Sequence, residues 1–566
     1  MSSAKWATHA LWIAVLAACG GGGGSGNGLA APSSSGTPAP APVPTPAPAP
    51  APAPTAAPGA WSTATIGGGG ALLYGCDTGT ASDGFTRFLY VRPGAAGNGT
   101  RANPYGSVQA AFAAVGAGEK ATLCVEEGSY TENVGALDDD MSRGYRLVGG
   151  FRSGSGYSQR DTTQALSRIA AASSALPVLR LGNHGEIVVD GFELSGGLRG
   201  LQVHGYAAGR KLTVRNNLVH HNGRVIRSAA DVPAGVDANS LGGVVVSGSE
   251  VLVEYNEIHA NDGGRNGAGL HIGGPADSEA NRLVDGQLVI GTALATVRYN
   301  RIHHNTLRYD TPHGAGITLN TNALVQHNLV WANQGLKWDS AGGDGVGGGL
   351  IAQRPLATVT VAHNWFEGNR ALKGGAAIFF DEASIGTAHD NVVVGNEGDG
   401  AIAVDGRAGG DAAGDRGYLT LVHNTVALNS GAAVLVQDST LHAFNNLFWH
   451  NTGAADLHLA GGGDLAEAVN ADRNVMKGSY VGMAGVNVAN ASNLEGAAVF
   501  ASASLRPFGE LSIASVDLRP TAAAGSDTRA SFAPAHEHAG ALTQPPAFDA
   551  AGVTRATPVA PGAYQP

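Results

Sequence analysis

The chain has 566 residues, of which 85 are glycine and 14% are charged, and its formal net charge is −11. Lys and Arg gather into no stripe, so the electrostatic footprint of a nucleic-acid binder is missing and no nucleic-acid partner is expected. Abundant glycine, with no long apolar stripe of 3.6-residue period, argues against a helical protein and for a chain that turns often.

In chain order, Lys5 and the apolar run Ala10–Ala18 read as a signal peptide, too short to span a bilayer. Its end, Leu16-Ala17-Ala18-Cys19, resembles a bacterial lipobox, which implies cleavage before Cys19 and lipidation of its thiol. Gly20, where an aspartate would retain a lipoprotein at the inner membrane, implies sorting to the outer membrane, with the lipid as the sole membrane contact. Residues 20–60 read as a linker, a glycine run followed by Pro-Ala repeats between Pro38 and Pro58. Pro-Ala favours extended polyproline II at ~3.1 Å per residue, so this stretch would hold the following domain some nanometres from its anchor.

Residues 61–566 are expected to form one domain: a cap over about 61–135, coils over about 136–480 and a C-terminal segment over about 481–566. Cys76 and Cys124 lack CxxC metal-site spacing and, in an oxidising compartment, are expected to form a disulfide pinning a leader strand to the first coil. Ser107 as N-cap and Gly116 as stop predict a short helix over 107–115.

The main signal lies between residues 217 and 451, where the pattern Asn-x-apolar-x-x-Asn occurs eight times. The copies start at Asn217, Asn256, Asn300, Asn328, Asn364, Asn391, Asn424 and Asn446, and the steps between them are 39, 44, 28, 36, 27, 33 and 22 residues. A residue recurring at one place in every repeat predicts a solenoid in which side-chain amides hydrogen-bond from coil to coil. Each copy follows a short alternating strand, such as LTVRNN or VTVAHN. A second strand, entered through glycine or alanine, is predicted for GLQV, GLHI, GITL and AIFF. The short helix would then cap the open end of the core, which a solenoid needs.

The repeat makes outward positions readable. Three residues after each first asparagine stand His220, His259, His303, Trp331, Glu367, Val394, Ala427 and Trp449. At ~4.8 Å between coils, His220, His259, His303 and Trp331 are expected to form one exposed column. It is a candidate glycan-binding or metal-binding face, the metal less well served because parallel side chains do not converge on one ion unless loops help, although stacked like residues also occur on solenoids without a ligand. A second column reads His204, Gly273, Asn320, Gln353, Asp381, Asp405 and Gln437, with Glu382 and Asp438 following two of its members. Asp381, Glu382, Asp405 and Asp438 are candidate calcium ligands, since hard cations take carboxylate oxygens, with solvated surface as the alternative. Asp411 and Asp415 lie in the adjacent loop.

Several segments resemble right-handed parallel β-helix proteins of bacterial surfaces, including polymorphic outer-membrane-protein-like and pectate-lyase-like members. Phe88–Val134 is similar to the family's opening strand, capping helix and first coil, and RLVGGF (Arg146–Phe151) with QRD (Gln159–Asp161) to the segment after it. FEGN and GGAAI, between Phe366 and Ile378, resemble the FxxN and GGA repeats of chlamydial polymorphic outer-membrane proteins. DLRPTAAAGSD through APGAYQP resembles a degraded closing segment. The resemblance covers roughly residues 85–566 and implies an all-β fold, one right-handed parallel β-helix of about 11 to 13 coils.

The resemblance leaves activity open, because this fold carries lyases, epimerases, hydrolases, adhesins and scaffolds. The preferred expectation is a surface-displayed outer-membrane lipoprotein that interacts with polysaccharide. The alternative is a lyase or epimerase of uronate-containing glycans, with Lys373, Arg308 or His313 as candidate catalytic residues. Lys373 precedes the strand ending at Asp381, and RYDTPHG (Arg308–Gly314) is similar to the DPH motif of alginate epimerases with Thr311 inserted. Arg265, Lys337, Arg354 and Arg370 are further basic residues near the coils, and the NTD, GHG and RIK signatures of polygalacturonases are missing.

Overall fold

A computed structural model describes residues 70–76, 83–136, 138–203, 205–226, 231–232, 241–285, 287–309, 312–337, 345–371, 373–406 and 416–460. In the C-terminal part it describes 468–472, 474–476, 494–495, 500–502, 505–512, 517–520 and 563. Cys19, the 20–60 linker, His204, Asp310 with Thr311, Asp411 and Asp415 lie outside the described residues.

The chain winds through three long sheets in turn. Among the described residues the first and second hold 13 strands each and the third 11, and all of their pairings are parallel from one coil to the next. Eleven coils among the described residues contribute to all three sheets, the first beginning at Lys120. A fourth sheet of four short strands, from Asp262–Gly263 to Arg370–Ala371, lies between the second and third sheets of the middle coils.

Alternation decides what enters the core. In Lys211–Arg215 of the first sheet, Leu212 and Val214 are buried in the central cluster and Thr213 faces out. In the second sheet the apolar residue of each Asn motif, Val219, Ile258, Ile302, Val330, Phe366, Val393, Val426 and Phe448, points inward and stacks on its counterparts. Each inward stack excludes water along the whole solenoid, and this burial is its main favourable contribution.

The asparagines close both corners flanking the second sheet. Asn217 Nδ2 donates to Asn256 Oδ1 at 3.0 Å, and the step repeats through Asn300, Asn328, Asn364, Asn391, Asn424 and Asn446 to Asn474. A second ladder runs from Asn222 through Asn261, Asn305, Asn333, Asn369, Asn396 and Asn429 to Asn451. Residues before the ladder asparagines take left-handed backbone, for example Tyr255 (φ 55°), His327 (φ 55°) and Asp390 (φ 54°). That turn leaves backbone groups without strand partners, and the amides satisfy them. Gly269 shows why glycine enters the third sheet: a Cβ there would lie 2.6 Å from the Gly316 carbonyl and 2.9 Å from Asn305 Nδ2.

The expected capping helix is present. The helix spans Val108–Ala113, with the Ser107 hydroxyl accepting from the Ala110 amide at 3.1 Å, and Glu132 accepts from the amides of Val108 and Gln109. Phe112 stacks on Tyr145 at 4.7 Å and seals the end of the core. Cys76 and Cys124 are disulfide-bonded, Cα to Cα 6.1 Å. The leader is not a strand at 70–76. It lies across the outside of the first sheet, where Arg215 donates to the Ala71 carbonyl and Arg160 to that of Tyr74. Arg160, from the QRD segment, also meets Asp190 at 2.7 Å with both side chains buried.

Candidate functional site

In the middle coils the path from second to third sheet is long. It crosses the outer face of the third sheet through Asn266, His313 and Val346, which bridge one another, and the Thr318 hydroxyl donates to the His313 carbonyl. From Asn396 onward the connection shrinks to a few residues: Gly400 opens a third-sheet strand directly, and Ala432 follows Asn429 as closely. The covering strand stops, and a groove of about 790 Å³ opens along the outside of the third sheet.

Its floor is Phe379, Ala403, Leu435 and His458, in register on four successive coils. Three coil steps give it a length of about 14 Å. One wall, where the strands enter, carries Val346, Lys373, Gly398 and Asp399; the opposite wall carries Asp405, Gln437 and Ala460. The surface is apolar along its bottom and polar at its edges, as in sites that hold an extended ligand by a few oriented polar groups.

The carboxylate wall is electrostatically unusual. Asp381 and Asp405 occupy the same place on neighbouring coils, since Phe380 and Val404 pair immediately before them. Burial, and then the Glu382 carboxylate, push Asp381 up to about 7. Burial, followed by Asp381 and Asp438, pushes Asp405 up to about 8. At neutral pH the pair therefore retains a proton, and one carboxyl can donate while the other accepts. Next along the column, Gln353 bonds His313 Nδ1 at 3.3 Å, and burial with the nearby Arg265 pushes His313 down to about 4. Arg265 also acts on Asp381. Thus Arg265, neutral His313, Gln353, Asp381 and Asp405 form one polar edge.

Lys373 lies in the groove, but at the other wall. The strand Gly400–Asp405 alone separates the two walls by about 16 Å. The charge of Arg265 lowers Asp381. Arg308 sits in the fourth sheet opposite Leu336 and acts on Asp262 instead. Among the described residues, no three of the carboxylates Asp381, Glu382, Asp405 and Asp438 bring ligand oxygens within 4.8 Å of one another, and Asp411 and Asp415 lie outside those residues.

A family model described as a right-handed beta helix region matches residues 177–349, which span the coils in which both asparagine ladders begin. This match and the three long parallel sheets decide the architecture. The chain is a right-handed parallel β-helix protein. No curated protein matches it. The fold is compatible with carbohydrate-related or surface functions.

On the second sheet of the β-helix, the His–Trp column is present with the expected members. His220, His259, His303 and Trp331 pair in register, with rings 5.2, 4.9 and 3.8 Å apart and nearly parallel. It is not the fully exposed face that the repeat predicts. Trp331 is 5% exposed, and Glu367, Val394 and Ala427 are buried below it. The chain's own C-terminal segment lies on them: Leu505, Leu511, Leu518 and Ala563 join Trp331, Trp365 and Val394 in an outer apolar cluster, and the Ser512 amide donates to Glu367. Among the described residues, His220, His259 and His303 at the other end are partly open. Burial, then His303, pushes His259 down to about 4, so this ring is neutral at pH 7.

A third outward column escapes a reading confined to the interval between the asparagines. Tyr255, Tyr299, His327 and His363, each preceding a ladder asparagine, stack with centroids 5.0 to 5.1 Å apart. The signal is in the sequence as the residue before each first asparagine.

Proposed function

We propose that this β-helix is an outer-membrane lipoprotein that binds a polysaccharide chain in the groove over Phe379, Ala403, Leu435 and His458. The observation that carries this reading is the groove itself: it runs along successive coils, has an aromatic and aliphatic floor, and offers charged or amide groups from both walls. Pyranose faces pack on apolar floors while hydroxyls bond to polar rims, the pattern general to concave binding sites. The lipobox at Cys19 and the Pro-Ala linker support display away from a membrane.

Two variants test the site. Leu435→Glu puts a charge on the floor and His458→Ala removes an aromatic surface, each at a half-buried outward position. In affinity electrophoresis against a panel of neutral and uronate polymers, the wild type should be retarded by at least one, and both variants should weaken that retardation tenfold or more. Retardation unchanged by both variants, or absent for every polymer, refutes the groove reading. Fatty-acid labelling of cells should mark the wild type and not Cys19→Ser; an unlabelled wild type refutes the anchor.

The polar edge favours a second reading, a lyase or epimerase. Asp381 or Asp405 retains a proton for donation, His313 is neutral and able to accept one, and Arg265 supplies a cation to offset a uronate carboxylate. Absorbance of unsaturated product would reveal the lyase, and its loss in Asp381→Asn but not Lys373→Ala would separate this edge from the lysine wall.

A further inference from the structure

Away from the groove, at the corner between the first and second sheets, His363, His389 and Asp390 bring one ligand atom each to within 4.8 Å of one another. Asp390 is fully buried, while His363 and His389 are partly open to solvent. His389 Nδ1 lies 2.8 Å from Asp390 Oδ2, and the His363 and His389 rings meet edge to face at 5.4 Å. We propose that this corner is a binding site for a divalent transition metal of the zinc type.

The chemistry of the donor set decides the class. Two imidazoles and one carboxylate suit zinc, cobalt, nickel or copper, whereas calcium and magnesium require more oxygen donors. Three protein ligands leave a coordination position for water or a solute group. The fold supplies the convergence. His363 and Asp390 each precede a first-ladder asparagine, so the ladder stacks them on adjacent coils, and left-handed backbone (φ 55° and 54°) turns the chain sharply at both. His389 closes the strand Ile385–His389 directly before Asp390. His327, stacked on the far face of His363 at 5.1 Å, holds that ring in place. In the metal-free protein the His389–Asp390 hydrogen bond occupies the site, and a metal ion would replace the shared proton.

The test uses the untagged, chelator-treated protein and Co²⁺ as probe. Asp390→Asn tolerates the left-handed backbone and keeps an oxygen for His389, and His363→Phe keeps a ring against His327, so both variants should fold; unchanged circular dichroism checks this. The wild type should take up one Co²⁺ with visible ligand-field bands, displaced by stoichiometric Zn²⁺, and both variants should bind at least tenfold more weakly. His303→Ala, in the His–Trp column of the second sheet, should bind as the wild type does. No saturable uptake by the wild type, uptake unchanged in both corner variants, or loss in His303→Ala instead would each overturn the assignment. None of these outcomes depends on the polysaccharide reading, since the groove lies on a different sheet.

Discussion

Asn328→Ala removes one rung from the middle of the first ladder, and the structure says what is left behind. Asn328 Nδ2 donates to Asn364 Oδ1, to the Val297 carbonyl and to the Gln326 carbonyl at 2.9–3.0 Å. Its Oδ1 accepts from both the backbone amide and Nδ2 of Asn300, each at 3.0 Å. Alanine deletes all five contacts in a fully buried corner, while Asn364 Oδ1 keeps the Asn328 backbone amide. The Asn300 amide loses its acceptor, and a buried unsatisfied group costs about 1–3 kcal/mol, so a loss of about 3–4 kcal/mol is expected once the donor side is included. Asn217, at the ladder's start, accepts at Oδ1 only from the Phe192 amide among the described bonds, so Asn217→Ala should cost about 1 kcal/mol less. Guanidinium unfolding followed by tryptophan fluorescence measures both, and calorimetry should show the larger loss as a fall of several degrees in Tm. Unchanged midpoints for Asn328→Ala, or a start-of-ladder variant that costs as much as the middle one, would refute the ladder as a cooperative stack.

Three further outcomes follow from the same geometry. Reducing Cys76–Cys124 should free two thiols and cost roughly 2–5 kcal/mol, because the bond ties the leader across the first sheet; thiol titration of the native protein that finds both already free would contradict this. His259, His313 and His327 are held neutral, each at about 4, by burial. The unfolded chain takes up these protons below about 6.5 and the folded chain does not, so their stabilisation, fully present above that pH, should drain away as pH falls towards 4. Denaturant midpoints should follow that window and fall less steeply in His327→Phe, and parallel curves for the two proteins would exclude it. Asp405 has the opposite sign: the unfolded chain releases its proton near 3.8 while the folded chain keeps it to about 8, so this group costs stability as pH rises through that range. Asp405→Asn should therefore gain roughly 2–3 kcal/mol over the wild type at pH 8 and little at pH 4; an equal difference at both values would rule the mechanism out.

The sequence by itself determined the solenoid. A fixed Asn-to-Asn interval holds one apolar residue inward between two corners, and hydrogen bonding from coil to coil leaves only one way to stack eight such intervals. The register of His220, His259, His303 and Trp331 follows from it, and so does the stacking of Asp381 on Asp405, because period-two alternation and a shared corner fix both side and height. Only the tertiary structure decided which outward positions meet solvent. Trp331 points out as its place in the repeat requires, yet it is buried because distant residues such as Leu505 and Leu518 settle on that face. Likewise the groove exists because the second-to-third-sheet connections shorten after Asn396, and a short loop in sequence does not reveal which face it uncovers. Lys373 and Asp405 share that groove from opposite walls, a separation along the strand that proximity in sequence to Asp381 conceals. His363, His389 and Asp390 lie between these extremes. The repeat places His363 above Asp390, but the left-handed turn at Asp390 brings His389 beside them, and backbone geometry of that kind appears only once the chain is folded.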